Sequence, residues 1–169
     1  KYPGLTDSPE GDWTSLGPSD LTGGVNGLGR INCIAFHPSN NDILWVGAPT
    51  GGLWVSYNHG QDWGSLFDDV ELIGVSDIII PDDFSTSNTI YVATGDRNKW
   101  KGSSIGILKS TDGGANWETT DLTFNRWDFI YINRLLKHPD HDNIIYAATT
   151  DGVYKTTDGG TTFSLLTNY

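Results

Sequence analysis

The chain has 169 residues, of which 37% are hydrophobic and 18% charged, a composition that argues against intrinsic disorder. Its 21 acidic residues outnumber its 10 basic residues, giving a net charge of −11, which argues against nucleic acid or an anionic membrane surface as a partner. No apolar run is long enough to span a membrane, and the single cysteine, Cys33, excludes an internal disulfide framework. Abundant glycine and aromatic residues favour short strands joined by tight turns.

The first predicted element is a lone strand at residues 13–16, after an N-terminal extension at 1–10. Aromatic residues at positions 13, 63, 117 and 163 recur about every 50 residues, the sign of a repeated structural unit. We therefore expect the 13–16 strand to be the outermost strand of a preceding unit. The chain begins with Lys1 rather than Met, which is typical of a processed product or a fragment.

Three fuller units follow, at about 29–69, 70–124 and 125–169. Each has a first apolar strand (31–36, 75–80, 132–136), a second (43–46, 90–93, 144–148) and a third (52–56, 105–110, 152–156). A fourth strand starts at the recurring aromatic residue. Four short strands per unit, without helical periodicity, predict an all-β fold: a β-propeller of four-stranded antiparallel blades.

The predicted propeller occupies residues 11–169 and forms an incomplete ring. About three blades plus one strand are too few, since closed propellers have roughly four to eight. The remaining blades of the same protein are therefore the first expected partner of this chain.

A polar turn with a fixed pattern follows the third strand of every unit. A hydroxyl, an oxygen acceptor, a glycine and an aromatic residue recur in Ser56, Asn58, Gly60, Trp63; Ser110, Asp112, Gly114, Trp117; and Thr156, Asp158, Gly160, Phe163. We expect the acceptor to bind backbone N–H groups of its own turn, the glycine to adopt positive φ and the ring to pack on the blade. The alternative is a catalytic or calcium-binding aspartate, but no Asp-x-Asp-x-Asp-Gly loop is present.

These turns resemble the Asp-box, or BNR repeat, of sialidases, sortilin-type receptors and xyloglucanase-like glycosidases. The stretches Gly29-Arg-Ile-Asn, His37-Pro and Gly51-Gly-Leu-Trp look most like large bacterial surface proteins that are exported by type IX secretion. The resemblance covers residues 11–169. It implies a propeller fold and a secreted or cell-surface location in a bacterium, but the repeat is structural in all these families and fixes no function.

Candidate ligand-binding residues fall on the end of the blades opposite the Asp-box turns. They are Arg30, Asp96, Arg97, Trp100, Arg126 and Trp127. Trp100 and Trp127 either stack on a sugar ring or pack against a neighbouring blade. Arg30 is similar to a sialidase arginine that grips a carboxylate, with structural pairing inside the protein as the alternative.

No catalytic residue can be assigned. Xyloglucanase-like enzymes carry an aspartate just before Gly-Gly, whereas this chain reads Ala48-Pro-Thr-Gly-Gly52. Inverting hydrolysis needs two carboxyl groups about 6.5–9.5 Å apart, and sialidase chemistry needs a nucleophile pair that is not evident. The four histidines share no metal-ligand spacing, so neither a metal nor a cofactor is expected.

The sequence therefore favours a non-catalytic propeller module that acts in adhesion, in glycan or protein binding, or as a scaffold. One alternative is a glycoside hydrolase, sialidase-like or xyloglucanase-like, whose catalytic residues lie mostly outside this segment. Another is exported cargo, or a subunit, bound to a secretion or surface complex.

Overall fold

A computed structural model describes residues 30–68, 70, 74–98 and 104–168. Within these residues the chain forms three four-stranded antiparallel sheets, each with its strands in sequence order. The prediction of an all-β propeller with four-stranded blades is confirmed. The predicted extension at 1–10 and the lone strand at 13–16 lie outside the described residues.

The first blade contains β1 (Cys33–Phe36), β2 (Leu44–Ala48), β3 (Gly52–Ser56) and β4 (Gly64–Ser65). The second contains β5 (Val75–Ile79), β6 (Ile90–Thr94), β7 (Gly106–Ser110) and β8 (Glu118–Thr123). The third contains β9 (Ile132–His138), β10 (His141–Thr149), β11 (Gly152–Thr156) and β12 (Ser164–Asn168).

The β5–β6 connection holds one helical turn, α1 (Phe84–Ser87), which the sequence pattern did not predict. The turn brings the buried Phe84 ring to 5.2 Å from Trp45 and 5.1 Å from His37, between ring centroids. Asn88 ends the helix in the left-handed region, with φ 50°, and donates its N–H to the Phe84 carbonyl. Four residues are too few to show helical periodicity, so the sequence suggested only a turn here.

In the third blade the first two strands extend beyond their expected bounds, since β9 continues to His138 rather than ending at residue 136. The second strand was predicted at 144–148, but β10 begins at His141, which pairs with His138. The register shifts between His141 and Ile145, so a bulge lets the pairing continue into residues whose composition resembles a turn.

The hydrophobic core lies between the blades. Along β6, Ile90 and Val92 pack toward the first blade, whereas Tyr91 and Ala93 pack toward the third. Side chains alternate across a strand, so a central blade covered on both faces needs a continuous apolar run. Ile90–Thr94 supplies that run, and all five residues are buried.

The first strands of the three sheets are neighbours, with β5 between β1 and β9. Asn32 donates from Nδ2 to the Val75 carbonyl at 2.9 Å, and Leu135 donates its N–H to Asp77 Oδ2 at 2.8 Å. The blades are therefore joined at their inner strands as well as through their apolar faces.

The three blades are here called the arc. Apolar side chains are exposed on the outward face of its first blade and on that of its third. Ile34 and Phe36 are exposed on the first blade, and Leu136 and Leu166 on the third. Among the described residues, no helix has both the length and the apolar character needed to cross a membrane.

Candidate functional site

The three turns that follow β3, β7 and β11, here called the corners, share one hydrogen-bond pattern. The first-position hydroxyl accepts the N–H of the glycine four residues later, at 2.8 Å for Ser56–Gly60, 2.9 Å for Ser110–Gly114 and 3.0 Å for Thr156–Gly160. The same hydroxyl donates to the acceptor two residues later, at 3.0 Å for Asn58, 2.8 Å for Asp112 and 2.7 Å for Asp158. These polar groups bind within their own turns.

The two corner aspartates are held ionised by local donors. Asp112 accepts the Asn116 side-chain amide at 2.7 Å and its N–H at 2.9 Å, and the side-chain bond is the main reason that the pKa of Asp112 falls to about 2. Asp158 accepts the Thr162 N–H at 2.9 Å and its hydroxyl at 2.7 Å. The Thr162 N–H is the main cause of a pKa of about 2 for Asp158.

Corner residues also contact the preceding blade. Trp117 donates from Nε1 to its own Gly114 carbonyl at 3.1 Å and to the Leu66 carbonyl at 3.3 Å, and its ring meets Phe67 edge-on at 5.1 Å. In the third blade, Phe163 donates its N–H to the Asp121 carboxylate of β8 at 2.9 Å. The second and third corners therefore fasten their blades to the sheet before them.

The opposite end of the blades, here called the loop face, carries the candidate ligand residues. It includes residue 30, the connections at 49–51, 95–98 and 150–151, the β8–β9 connection at 124–131, and the described part of the β4–β5 connection at 66–68, 70 and 74. The antiparallel order of the strands puts all of these segments at one end. Trp100, also predicted here, lies outside the described residues.

Arginine and aspartate side chains from three blades meet on the loop face. Arg30 forms a salt bridge with the buried Asp96, which also accepts the Asn98 N–H at 3.1 Å. Arg97 donates to the Ser76 carbonyl and lies 3.9 Å from the buried Asp77. Arg30 is thus paired with a carboxylate of the neighbouring blade.

Asp77 and Arg134 complete this cluster, although the sequence did not single them out as site residues. Asp77 lies in β5 and accepts the Leu135 N–H, while the Nε of Arg134 lies 3.5 Å from Asp77 Oδ2. The available signal was a carboxylate inside the apolar strand Val75–Ile79. A charged residue there implies a buried partner, but the partner lies 57 positions further along the chain.

The β8–β9 connection holds Trp127 in solvent. Asn125 accepts the Trp127 N–H at 3.0 Å, and Asp128 accepts the Asn125 N–H at 2.9 Å, so the tip is closed by its own bonds. Phe129 adopts φ 54° in the left-handed region, which is unfavourable for an aromatic residue. Trp127 is 79% exposed and Phe129 62% exposed. Among the described residues, neither ring is packed against a neighbouring blade.

Tyr131 anchors this connection to the third blade. Its N–H donates to Thr150 Oγ1 at 3.0 Å, and its carbonyl accepts the Thr150 N–H at 2.9 Å. The aromatic tip is therefore attached at its base to the β10–β11 connection. Two exposed rings on a fastened loop form a surface suited to stacking against a flat ligand.

The chain is similar to xyloglucanases. It is 30% identical over 156 residues to the xyloglucanase of Hypocrea jecorina (strain QM6a), a match that covers 85% of this chain and 18% of that protein. It is 29% identical over 181 residues to the xyloglucanase of a Paenibacillus species, covering 94% of this chain and 17% of the relative. The chain thus spans less than a fifth of either relative's length. No protein-family model matches it.

Solved structures show the same fold at lower identity. The GH74 enzyme of Niastella koreensis gives a TM-score of 0.62 at 18% identity, covering 81% of this chain and 22% of that one. The GH74 xyloglucanase of Xanthomonas campestris gives 0.60 at 19% identity, covering 81% and 20%. The extracellular domain of BT4673 from B. thetaiotaomicron also gives 0.60, at 18% identity, covering 82% and 17%.

Four carboxylates of the loop face are engaged within the protein. The 48–52 connection carries none. Asp77 and Asp96 are buried beside arginines, Asp128 binds the Asn125 N–H, and Asp151 accepts the Tyr154 hydroxyl at 2.7 Å. Among the described residues, no group of three or more metal-ligating side chains could hold a metal ion.

A groove of about 400 Å³ lies on the corner side, between the second and third blades. Tyr91 and Lys109 line it, and both donate to the Gly159 carbonyl at 3.0 Å. Burial, and then the charges of Asp83, Asp142 and Asp158, raise the pKa of Tyr91 to about 12. These polar groups hold the two blades together, so we place the candidate ligand site on the loop face.

Proposed function

We propose that this chain is part of a larger, secreted or cell-surface propeller that binds a β-glucan such as xyloglucan on its loop face. Its own blades contribute binding residues rather than a catalytic pair. The observation that carries this proposal is the exposed Trp127 on a loop fixed by its own hydrogen bonds.

The cost of exposing Trp127 supports a binding role. Burying a large apolar side chain stabilises a fold by about 1.5–3 kcal/mol, and the exposed ring forgoes that gain. The bonds from Asn125 and Asp128 keep the tip ordered, so little conformational entropy is lost when a ligand docks. The apolar face of a sugar ring matches an exposed indole in size and chemistry.

Further blades of the same protein are the proposed partners at both ends of the arc. Ile34 and Phe36 on one side, and Leu136 and Leu166 on the other, are exposed as blade faces are before they pack. The corners then have the structural role of Asp-boxes. A bacterial origin and export by type IX secretion rest only on the resemblance of the sequence.

A second candidate is a xyloglucan hydrolase whose acids lie in the other blades. It is favoured by the similarity to xyloglucanases over 85% of this chain. The 48–52 connection of this chain has no carboxylate to offer such a reaction. We find no observation that favours exported cargo or a subunit of a surface complex.

The test compares xyloglucan binding by the full-length protein with that of Trp127→Ala, by affinity electrophoresis and calorimetry. We expect the affinity to fall about tenfold with the loss of stacking, and Trp127→Phe to retain most of it. Tyr57→Ala is the matched control, because Tyr57 is an exposed aromatic, at 65%, in the first corner.

An unchanged affinity in Trp127→Ala would contradict the proposed site. Release of reducing ends from xyloglucan by the full-length protein would establish the second candidate, and its absence, alongside binding, would establish a non-catalytic module.

A further inference from the structure

Three arginines form a cluster on the loop face of a strongly acidic protein. Arg30, Arg97 and Arg134 come from three different blades, and two of them approach one carboxylate, that of Asp77. Three guanidinium groups therefore face two carboxylates, Asp77 and Asp96, in a chain whose net charge is −11. Two further acids of this face, Asp128 and Asp151, are bound within their own turns.

The two buried carboxylates are already engaged by strong donors. Asp77 accepts the Leu135 N–H at 2.8 Å, and Asp96 accepts the Asn98 N–H and pairs with Arg30. Arg134 and Arg97 stand 3.5 Å and 3.9 Å from Asp77, longer than charge-assisted hydrogen bonds. Because neither arginine forms a short hydrogen bond with Asp77, both guanidinium groups keep N–H donors that a ligand could use.

Arg134 is the member best placed to reach a ligand. Its side chain is 66% exposed, against 45% for Arg30 and 29% for Arg97. Within the described part of the chain, its Nη groups have no hydrogen-bond acceptor, and the buried Nε of Arg97 also has none. The edge formed by the two Nη groups of a planar guanidinium is suited to bidentate contact with a carboxylate.

We propose that this arginine cluster binds the carboxylate of a uronic acid residue, so that the preferred ligand is an acidic polysaccharide or an acid-substituted glucan. The loop of Trp127 leads directly into β9, the strand of Arg134, so a stacking surface and a charge contact lie on consecutive segments. This inference rests on the proposed glycan-binding function and specifies the class of glycan.

The test measures binding of a glucuronate-containing oligosaccharide and of its neutral glucose analogue by the full-length protein and its variants. We expect the acidic ligand to bind about tenfold more tightly, and Arg134→Gln to remove that preference while leaving affinity for the neutral ligand unchanged. Arg134→Lys should retain part of the preference, because it keeps the charge but not the planar fork. Added salt should weaken only the acidic ligand.

Lys155→Gln is the matched control, since it removes one positive charge from the same blade, where Lys155 lies over the Tyr146 ring. An equal loss in Lys155→Gln and Arg134→Gln would mean a general charge effect and would overturn the inference. Equal binding of acidic and neutral ligands by the parent would overturn it too, while leaving the proposed function intact. Binding of neither ligand would overturn both.

Discussion

The first and second corners contain the same amide-to-carboxylate hydrogen bond, with the two side chains at exchanged positions. In the second corner Asn116 donates its amide to Asp112 at 2.7 Å, whereas in the first corner Asn58 donates its amide to Asp62 at 2.8 Å. In both corners the acceptor binds the backbone N–H of the residue four positions after itself. Asn58 accepts the Asp62 N–H and Asp112 accepts the Asn116 N–H, each at 2.9 Å. The first two corners therefore pair one carboxylate with one amide, in either order, whereas the third pairs Asp158 with the Thr162 hydroxyl.

This exchange predicts the behaviour of Asp112→Asn, Asn116→Asp and the double variant. Asn116→Asp alone puts two carboxylates in contact, and Asp112→Asn alone puts two amides in contact, so both should lower the free energy of unfolding. The double variant reproduces the arrangement of the first corner and should recover most of the loss. Urea unfolding of the four proteins gives the coupling directly; purely additive losses would show that the pair does not act as a unit.

At the scale of the element, the second and third corners join their own blades to the previous one. Trp117 combines both tasks, because its Nε1 donates to Gly114 in its own turn and to Leu66 after β4. The third corner has Phe163 at this position, and a backbone bond to Asp121 substitutes for the indole donor. Both corners thus have an aromatic ring at this position, and only the second corner also has a side-chain donor, the indole Nε1 of Trp117.

Replacing Trp117 separates these contributions. Trp117→Phe keeps an aromatic edge against Phe67 but leaves the Leu66 carbonyl without the indole donor, at a cost of about 1 kcal/mol. Trp117→Ala also loses the ring and should cost about 3 kcal/mol. Chemical denaturation measures both. Similar losses for the two variants would indicate that the hydrogen bonds, not the packed ring, join the blades.

Local patterns predicted the blades well, because strand alternation and corner chemistry are both short-range. Ser110, Asp112 and Gly114 carry their bonding within a few residues, so their spacing alone indicated a turn. The cluster around Asp77 was not predictable in the same way, since it joins residues that only the packing of blades brings together. The sequence did not predict α1, because this turn serves to place the Phe84 ring against His37 and Trp45 of the first blade, a contact that only the packing of blades creates.

At the scale of the whole molecule, charged contacts make stability depend on pH. Lys137 in β9 binds Asp82 and Asp142, each at 2.7 Å, and Asp142 also accepts the N–H groups of Asp82 and Asp83. Burial opposes ionisation of Asp142, but the hydrogen bond from Lys137 and the backbone donors outweigh it and lower its pKa. The pKa of Lys137 is raised for the same reason, against the effect of its burial.

The sign of the pH dependence follows from these shifts. The lowered pKa values of Asp112, Asp142 and Asp158 add stability above their ordinary value of 3.8, and that stability is lost as the pH falls through the folded values, about 2 for Asp112 and Asp158. Lys137 adds stability below its ordinary value of 10.5, which is lost as the pH rises through its raised folded value. We therefore expect stability to fall at both extremes.

Asp142→Asn tests the acid side of this dependence. The variant should be less stable than the parent at pH 6 but should lose less on going to pH 3, because one of the protonating carboxylates is gone. Urea midpoints at the two pH values measure the difference. Parallel pH profiles for parent and variant would mean that Asp142 does not contribute to the acid limb.

The direction of the corner contacts gives the protein an order of assembly. The second and third corners come late in their own blades and fasten to a sheet already complete in the chain before them, as Trp117 does on Leu66 and Phe163 on Asp121. A chain synthesised from its N-terminus can therefore secure every new blade as it emerges, without waiting for the ring to close. Duplicating one unit would bring with it the means of its own attachment, so blades of this type can be added by repeating sequence alone.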